Sequence, residues 1–239
     1  MSKIQNTISF IKNTFNSNEF IPLHEPKFIG NEKEYLLETI NSTFVSSVGA
    51  YVDQLEEMMQ EITHTEKAAA VVNGTAGIQV ALRLVGVKAG DEVLTQALTF
   101  VATANAITYN SAIPVFLDVD IDTMGLGPIA VSNFLEEFGE KRDDGCYNKK
   151  TGNKIAACLP MHTFGFPVRI DELIEICEKW DIPVVEDAAE SLGSEFKGKP
   201  TGSFGKLGVF SFNGNKIVTC GGGGVIVSKN TEIGEKAKY

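Results

Sequence analysis

A chain of 239 residues can bury a substantial core, as one large domain or two small ones. Its hydrophobic fraction of 43% and charged fraction of 22% are ordinary for a soluble globular protein. A formal net charge of -10 leaves no basic excess to neutralise phosphates, which argues against nucleic acid or an anionic membrane as a partner.

Apolar residues at Ile4, Ile8, Ile11 and Phe15 follow a helical spacing, which Pro22 and Pro26 interrupt. Residues 32–40 read as a second helix, and Val52, Leu55, Met58, Met59 and Ile62 mark one face of a third. The rhythm then changes to short apolar runs at 68–72, 92–95, 114–118, 155–159, 183–186, 207–212 and 225–228. Helical patterns at 77–84, 101–109, 130–138 and 170–180 separate most of them. This alternation implies a mainly parallel sheet with right-handed crossovers, with ligands beyond the carboxyl ends of the strands. The last two runs have no helix between them and can pair antiparallel. Residues 140–154, charged and carrying Gly145 and Gly152, read as an exposed excursion.

Cys146, Cys158, Cys177 and Cys220 are scattered without a C-x-x-C pair, which favours reduced thiols in a cytosolic protein over a disulfide framework. His24, His64 and His162 lie far apart, so no metal site is expected. The N-terminus lacks a signal-like apolar core and no segment approaches a membrane span; the expectation is a cytoplasmic enzyme.

Two stretches carry the chemistry. Glu186-Asp187-Ala188-Ala189-Glu190 closes the apolar run Ile182-Pro183-Val184-Val185. Lys216 follows Ser211 by five residues, beyond Leu207-Gly208-Val209-Phe210, and the run from Gly221 to Gly224 comes next. A carboxylate, a hydroxyl and a lysine delivered together from strand ends are what pyridoxal phosphate needs. The acid faces the pyridine nitrogen, the hydroxyl binds phosphate and the amine forms a Schiff base. Gly74-Thr75-Ala76 opens a helix directly after a strand, where backbone amides and the helix dipole suit an anion; Thr75 reads equally as a plain N-cap. No Walker loop and no G-x-G-x-x-G opening a helix is present.

With Asn73-Gly74-Thr75-Ala76-Gly77 and Thr99-Phe100-Val101-Ala102-Thr103-Ala104-Asn105, these blocks stand in the order found in one family. The chain resembles the DegT/DnrJ/EryC1/StrS sugar aminotransferases, which share the fold-type I architecture of aspartate aminotransferase. The resemblance runs from about Ile21 to the last residue. Ser46-Ser47-Val48-Gly49, Gly145-Cys146-Tyr147-Asn148-Lys149 and Met161-His162-Thr163-Phe164-Gly165 are similar to one branch. That branch acts on 4-keto-6-deoxy UDP-N-acetylhexosamines and feeds legionaminic-acid-like sugars.

The resemblance implies an α/β three-layer sandwich with a mainly parallel, seven-stranded sheet. It divides the chain into an N-terminal helical segment (1–45) and a pyridoxal-phosphate-binding large domain (46–239). Relatives carry a further small C-terminal domain, so the chain reads as a fragment of a homodimeric enzyme. By family position Lys216 is the Schiff-base lysine and the proton shuttle, and Asp187 pairs with the pyridinium nitrogen. Ser211 joins Gly74, Thr75 and Ala76 at the phosphate, and Phe100 stacks on the ring. Glu190 approaches the phenolic oxygen, where many relatives have glutamine or histidine. His162, after the strand at 155–159, stands as a substrate contact or as a satisfied structural histidine. The implied substrates are a nucleotide sugar and an amino-acid donor, L-glutamate. Two rivals stand beside this reading: a truncated, non-catalytic cofactor-binding remnant or interaction domain, and a lyase on the same fold with Cys220 as its mobile cysteine.

Overall fold

The computed structural model describes residues 2–238. Three helices come first: α1 (Lys3–Thr14), α2 (Glu32–Ser42) and α3 (Ala50–Thr63). Alternation then runs through β1 (Lys67–Val71), α4 (Gly74–Leu84), β2 (Glu92–Gln96), α5 (Val101–Tyr109), β3 (Ile113–Leu117) and α6 (Pro128–Phe138). Next come β4 (Gly139–Arg142), β5 (Gly145–Asn148), β6 (Lys154–Leu159), α7 (Ile170–Lys179) and β7 (Val185–Asp187). The two-residue strands β8 (Glu195–Phe196) and β9 (Lys199–Pro200) precede β10 (Leu207–Ser211), β11 (Gly224–Ser228) and α8 (Thr231–Lys238).

The seven apolar runs form one sheet in the order β3-β2-β6-β7-β10-β11-β1, with β6 and β7 joined through Cys158–Val184 and Met161–Asp187 bridges. Strand β11 is antiparallel to both neighbours; the others share one direction. Neighbouring residues on each strand enter different cores, because side chains alternate across a sheet. Val93, Ala157, Val185, Val209 and Ile226 pack with α4 and α5 on one face. Leu94, Cys158 and Val184 pack with α6 and α7 on the other, where Phe210, Val225 and Val227 meet Met59 of α3. The result is the three-layer sandwich. Strands covered on both faces read as unbroken apolar runs, which is why they stood out in the sequence.

The segment 140–154 differs from its expected form as an exposed excursion. Strands β4 and β5 make a hairpin that pairs antiparallel with the start of β6. Cys146 is buried in the core, and the buried Glu92 carboxylate accepts hydrogen bonds from Asn148 (2.8 Å), Thr151 (2.6 Å) and Asn153 (3.4 Å). A polar anchor of this kind carries no periodicity. Helix α8, absent from the sequence reading, covers β1 and β11 through Ile233 and Ala237. No described helix is long and apolar enough to cross a membrane.

Candidate active site

The carboxyl ends of β1, β7 and β10 open on one cavity of about 210 Å³. Gly74, Thr75, Phe100, Asp187, Glu190, Ser211 and Lys216 all line it. The acid and the amine on which the sequence reading depends therefore share one rim of the sheet.

At the start of α4 the cap is Asn73, with extended backbone, and not Thr75. Its Oδ1 accepts the amide of Ala76 at 2.8 Å, so that amide is already committed and Ala76 does not line the cavity. Thr75, in the first turn, is left to offer its amide and hydroxyl to an anion. A Cβ on Gly74 would lie 2.9 Å from the Ser211 Cβ and 3.2 Å from its Oγ. The missing side chain is what lets the helix start and the Ser211 hydroxyl converge. Ser211 Oγ accepts the Asn213 amide at 3.4 Å, which leaves its own proton for a ligand.

Asp187 is 3% exposed. Its Oδ2 accepts the Thr103 hydroxyl at 2.7 Å and its Oδ1 the Ala189 amide at 3.2 Å. Burial pushes its carboxyl above the ordinary aspartate range; the Thr103 and Ala189 hydrogen bonds and the charge of Lys216 oppose that shift. Lys216 leaves a tight turn closed by its own amide on the Asn213 carbonyl at 3.0 Å. Its Nζ pairs with Glu190 Oε1 at 2.9 Å and stands 5.6 Å from the centre of the Phe100 ring. Glu190 Oε2 accepts the amide of Phe164 at 3.1 Å, in a turn where Phe164 has a left-handed φ of 53°.

His162 is the residue for which the structure departs from a substrate role. It is fully buried, and its ring hydrogen bonds close inside the protein. The Val168 amide donates to Nδ1 at 3.2 Å, so Nε2 carries the proton and donates to Glu186 Oε2 at 3.0 Å. Glu186 also takes the amides of Gly202, Phe204 and Gly205 at 2.8, 2.6 and 2.7 Å. Glu186 and His162 form an internal clamp, and His162 does not line the cavity. Cys220 is exposed, does not line the cavity either, and donates from Sγ to the Gly222 carbonyl at 2.7 Å.

Asn73, Thr103, Asn213 and Asn215 also line the cavity, though sequence reasoning did not select them. Thr103 had a readable signal: it lies four residues beyond Thr99, in the block that resembles the family.

The profile of the DegT/DnrJ/EryC1/StrS aminotransferase family matches residues 26–239. The chain belongs to this family. A Bacillus subtilis relative with the name "Putative pyridoxal phosphate-dependent aminotransferase EpsN" is 42% identical over 92% of this chain and 54% of its own. GDP-perosamine synthase of Escherichia coli O157:H7 is 35% identical over 92% of this chain and 56% of its own. A crystal structure of DesI in the presence of its TDP-sugar product superposes with a TM-score of 0.78 at 26% identity, covering 95% of this chain and 55% of that one. The chain thus spans about half the length of the relatives it matches. Pyridoxal phosphate is the cofactor of this aminotransferase family, and the donor set fits it: an anion cradle at Gly74, Thr75 and Ser211, a buried carboxylate and a lysine amine on one cavity.

Proposed function

We propose that this chain carries the cofactor site of a cytoplasmic aminotransferase that places an amino group on a 4-keto-6-deoxy nucleotide sugar. The substrate is a UDP-linked N-acetylhexosamine derivative, the donor is L-glutamate, and the working unit is a homodimer. The product serves surface polysaccharide or nonulosonic acid synthesis. The observation that carries this reading is the convergence of Lys216, Asp187 and Phe100 on one cavity, with Ser211 and Thr75 at its anion end.

Bound pyridoxal phosphate supplies a carbonyl carbon for amine capture and a ring that withdraws electrons from the substrate carbon. The protein residues have separable tasks. Thr75 and Ser211 bind the phosphate with neutral donors, and the dipole of α4 adds to the attraction. Asp187 would set a negative charge against the pyridine nitrogen and so favour its protonated form. Phe100 offers a flat apolar face that holds the ring plane. Lys216 Nζ, held by Glu190, would carry a proton between the substrate carbon and the cofactor's carbonyl-derived carbon, as general base and acid.

The decisive test is to add pyridoxal phosphate, reduce with borohydride and locate the adduct by peptide mass. Wild type should carry it on Lys216, and Lys216→Ala should carry none at any cavity residue. An adduct spread over surface lysines in both proteins would reject the reading. Offering UDP-, GDP- and TDP-linked 4-keto sugars with L-glutamate then checks the substrate. An amino sugar formed from the GDP or TDP compound alone would overturn the UDP assignment.

A further inference from the structure

We propose that Thr103 is a positioning residue that holds the Asp187 carboxylate anionic and fixed in its plane, with Thr99 setting the direction of its hydroxyl. The inference rests on the cavity being a pyridoxal phosphate site, and it follows from counting protons. A carboxylate only accepts, so the single proton of the Thr103 hydroxyl goes to Asp187 Oδ2, 2.7 Å away. Thr103 Oγ1 is then free to accept, and Thr99 Oγ1 lies 2.7 Å from it. Thr99 also lies 2.9 Å from the Met161 sulfur, but a thioether is the weaker acceptor and a hydroxyl has one proton to give. The chain therefore runs one way, from Thr99 through Thr103 to Asp187.

Thr103 is fully buried, so bulk water does not replace its hydroxyl. Thr99 sits just before α5 and Thr103 in its first turn, four residues on, which brings the two hydroxyls together. The Ala189 amide holds the other oxygen, Oδ1, at 3.2 Å. One donor on each oxygen fixes both the rotation and the tilt of the carboxylate. It also stabilises the charged form against the burial that disfavours it. A neutral Asp187 would have no charge to set against a protonated ring nitrogen. The hydroxyl thus sets the lower end of the pH range in which the cofactor is held.

The experiment compares wild type with Thr103→Val, which removes the hydroxyl at nearly constant volume, and with Thr103→Ser, which keeps it. Pyridoxal phosphate affinity is measured by equilibrium dialysis across pH 5.5–9 (roughly the range in which carboxylates with raised values titrate). Loss of a hydrogen bond to a charged group predicts about tenfold weaker binding for Thr103→Val at neutral pH, with recovery to within about threefold for Thr103→Ser. The acid limb of the binding profile should move to higher pH in the valine variant and return in the serine variant. In cofactor-free protein, a carbon NMR titration of the Asp187 carboxyl should show the same upward movement, smaller for Thr99→Val. If Thr103→Val does not fold, Thr103→Ala repeats both measurements. Equal affinities and unshifted titrations in the hydroxyl-free variant overturn the proposal. Failure of every protein, wild type included, to bind pyridoxal phosphate would instead reject the functional reading, while the NMR titration still decides what Thr103 does to Asp187.

Discussion

Helices α1 and α7 carry the same kind of message and meet different fates. Both place apolar residues at helical spacing, and α1 has the better start, a reciprocal capping box between Ser2 and Gln5. Yet α7 buries Ile170, Leu173 and Cys177 against the sheet, whereas α1 buries nothing among the described residues; Ile4 is 72% exposed and Phe10 70%. Caps and periodicity make a helix. Burial requires a facing surface, and for α7 that surface is β6 with Ile182 and Val184, the residues that lead into β7.

That contrast can be broken by mutation. Leu173→Ala should cost about 2–5 kcal/mol in urea-unfolding free energy, since it empties a packed site beneath the sheet. Glu186→Gln should cost about 1–3 kcal/mol, because three backbone amides and His162 lose a charged acceptor. Asp187→Asn acts through pH. The folded-state carboxyl is raised by burial, so the contribution of Asp187 to stability is fully present at acid pH and is lost as pH climbs from the ordinary aspartate value through the raised one. Cofactor-free Asp187→Asn should lack that decline when melting is followed across pH, while no longer retaining pyridoxal phosphate. Ile8→Ser in α1 should change stability by less than about 0.5 kcal/mol. A cost for Ile8→Ser near that of Leu173→Ala would mean that α1 is covered in solution, and the contrast would fall.

The same contrast explains what was legible in the sequence. Most of the seven central strands announced themselves because they are buried and mainly apolar; the edge strand β3 leaves Ile113 and Phe116 exposed. The β4–β5 hairpin did not, because it is tied down by Glu92 through three polar side chains dozens of residues away. Asp187 and Lys216 were readable from their places just beyond apolar runs. His162 has a similar place and was open to two readings; only the ring's turn inward toward Glu186 decides for the structural one. Ala76 stands off the cavity because its amide caps onto Asn73, an arrangement that depends on one backbone conformation. Thr103 escaped because its partner is 84 residues away.

Glu190 has a consequence of its own. One oxygen grips the lysine amine and the other grips the backbone of Phe164, whose left-handed turn runs into Gly165, packed against the Glu190 carbonyl. Whenever Nζ gives up its charge, that carboxylate loses half its support, and the neighbouring bend inherits the imbalance. Amine and bend are wired to a single side chain, so an engineer who retunes the first will also be reshaping the second.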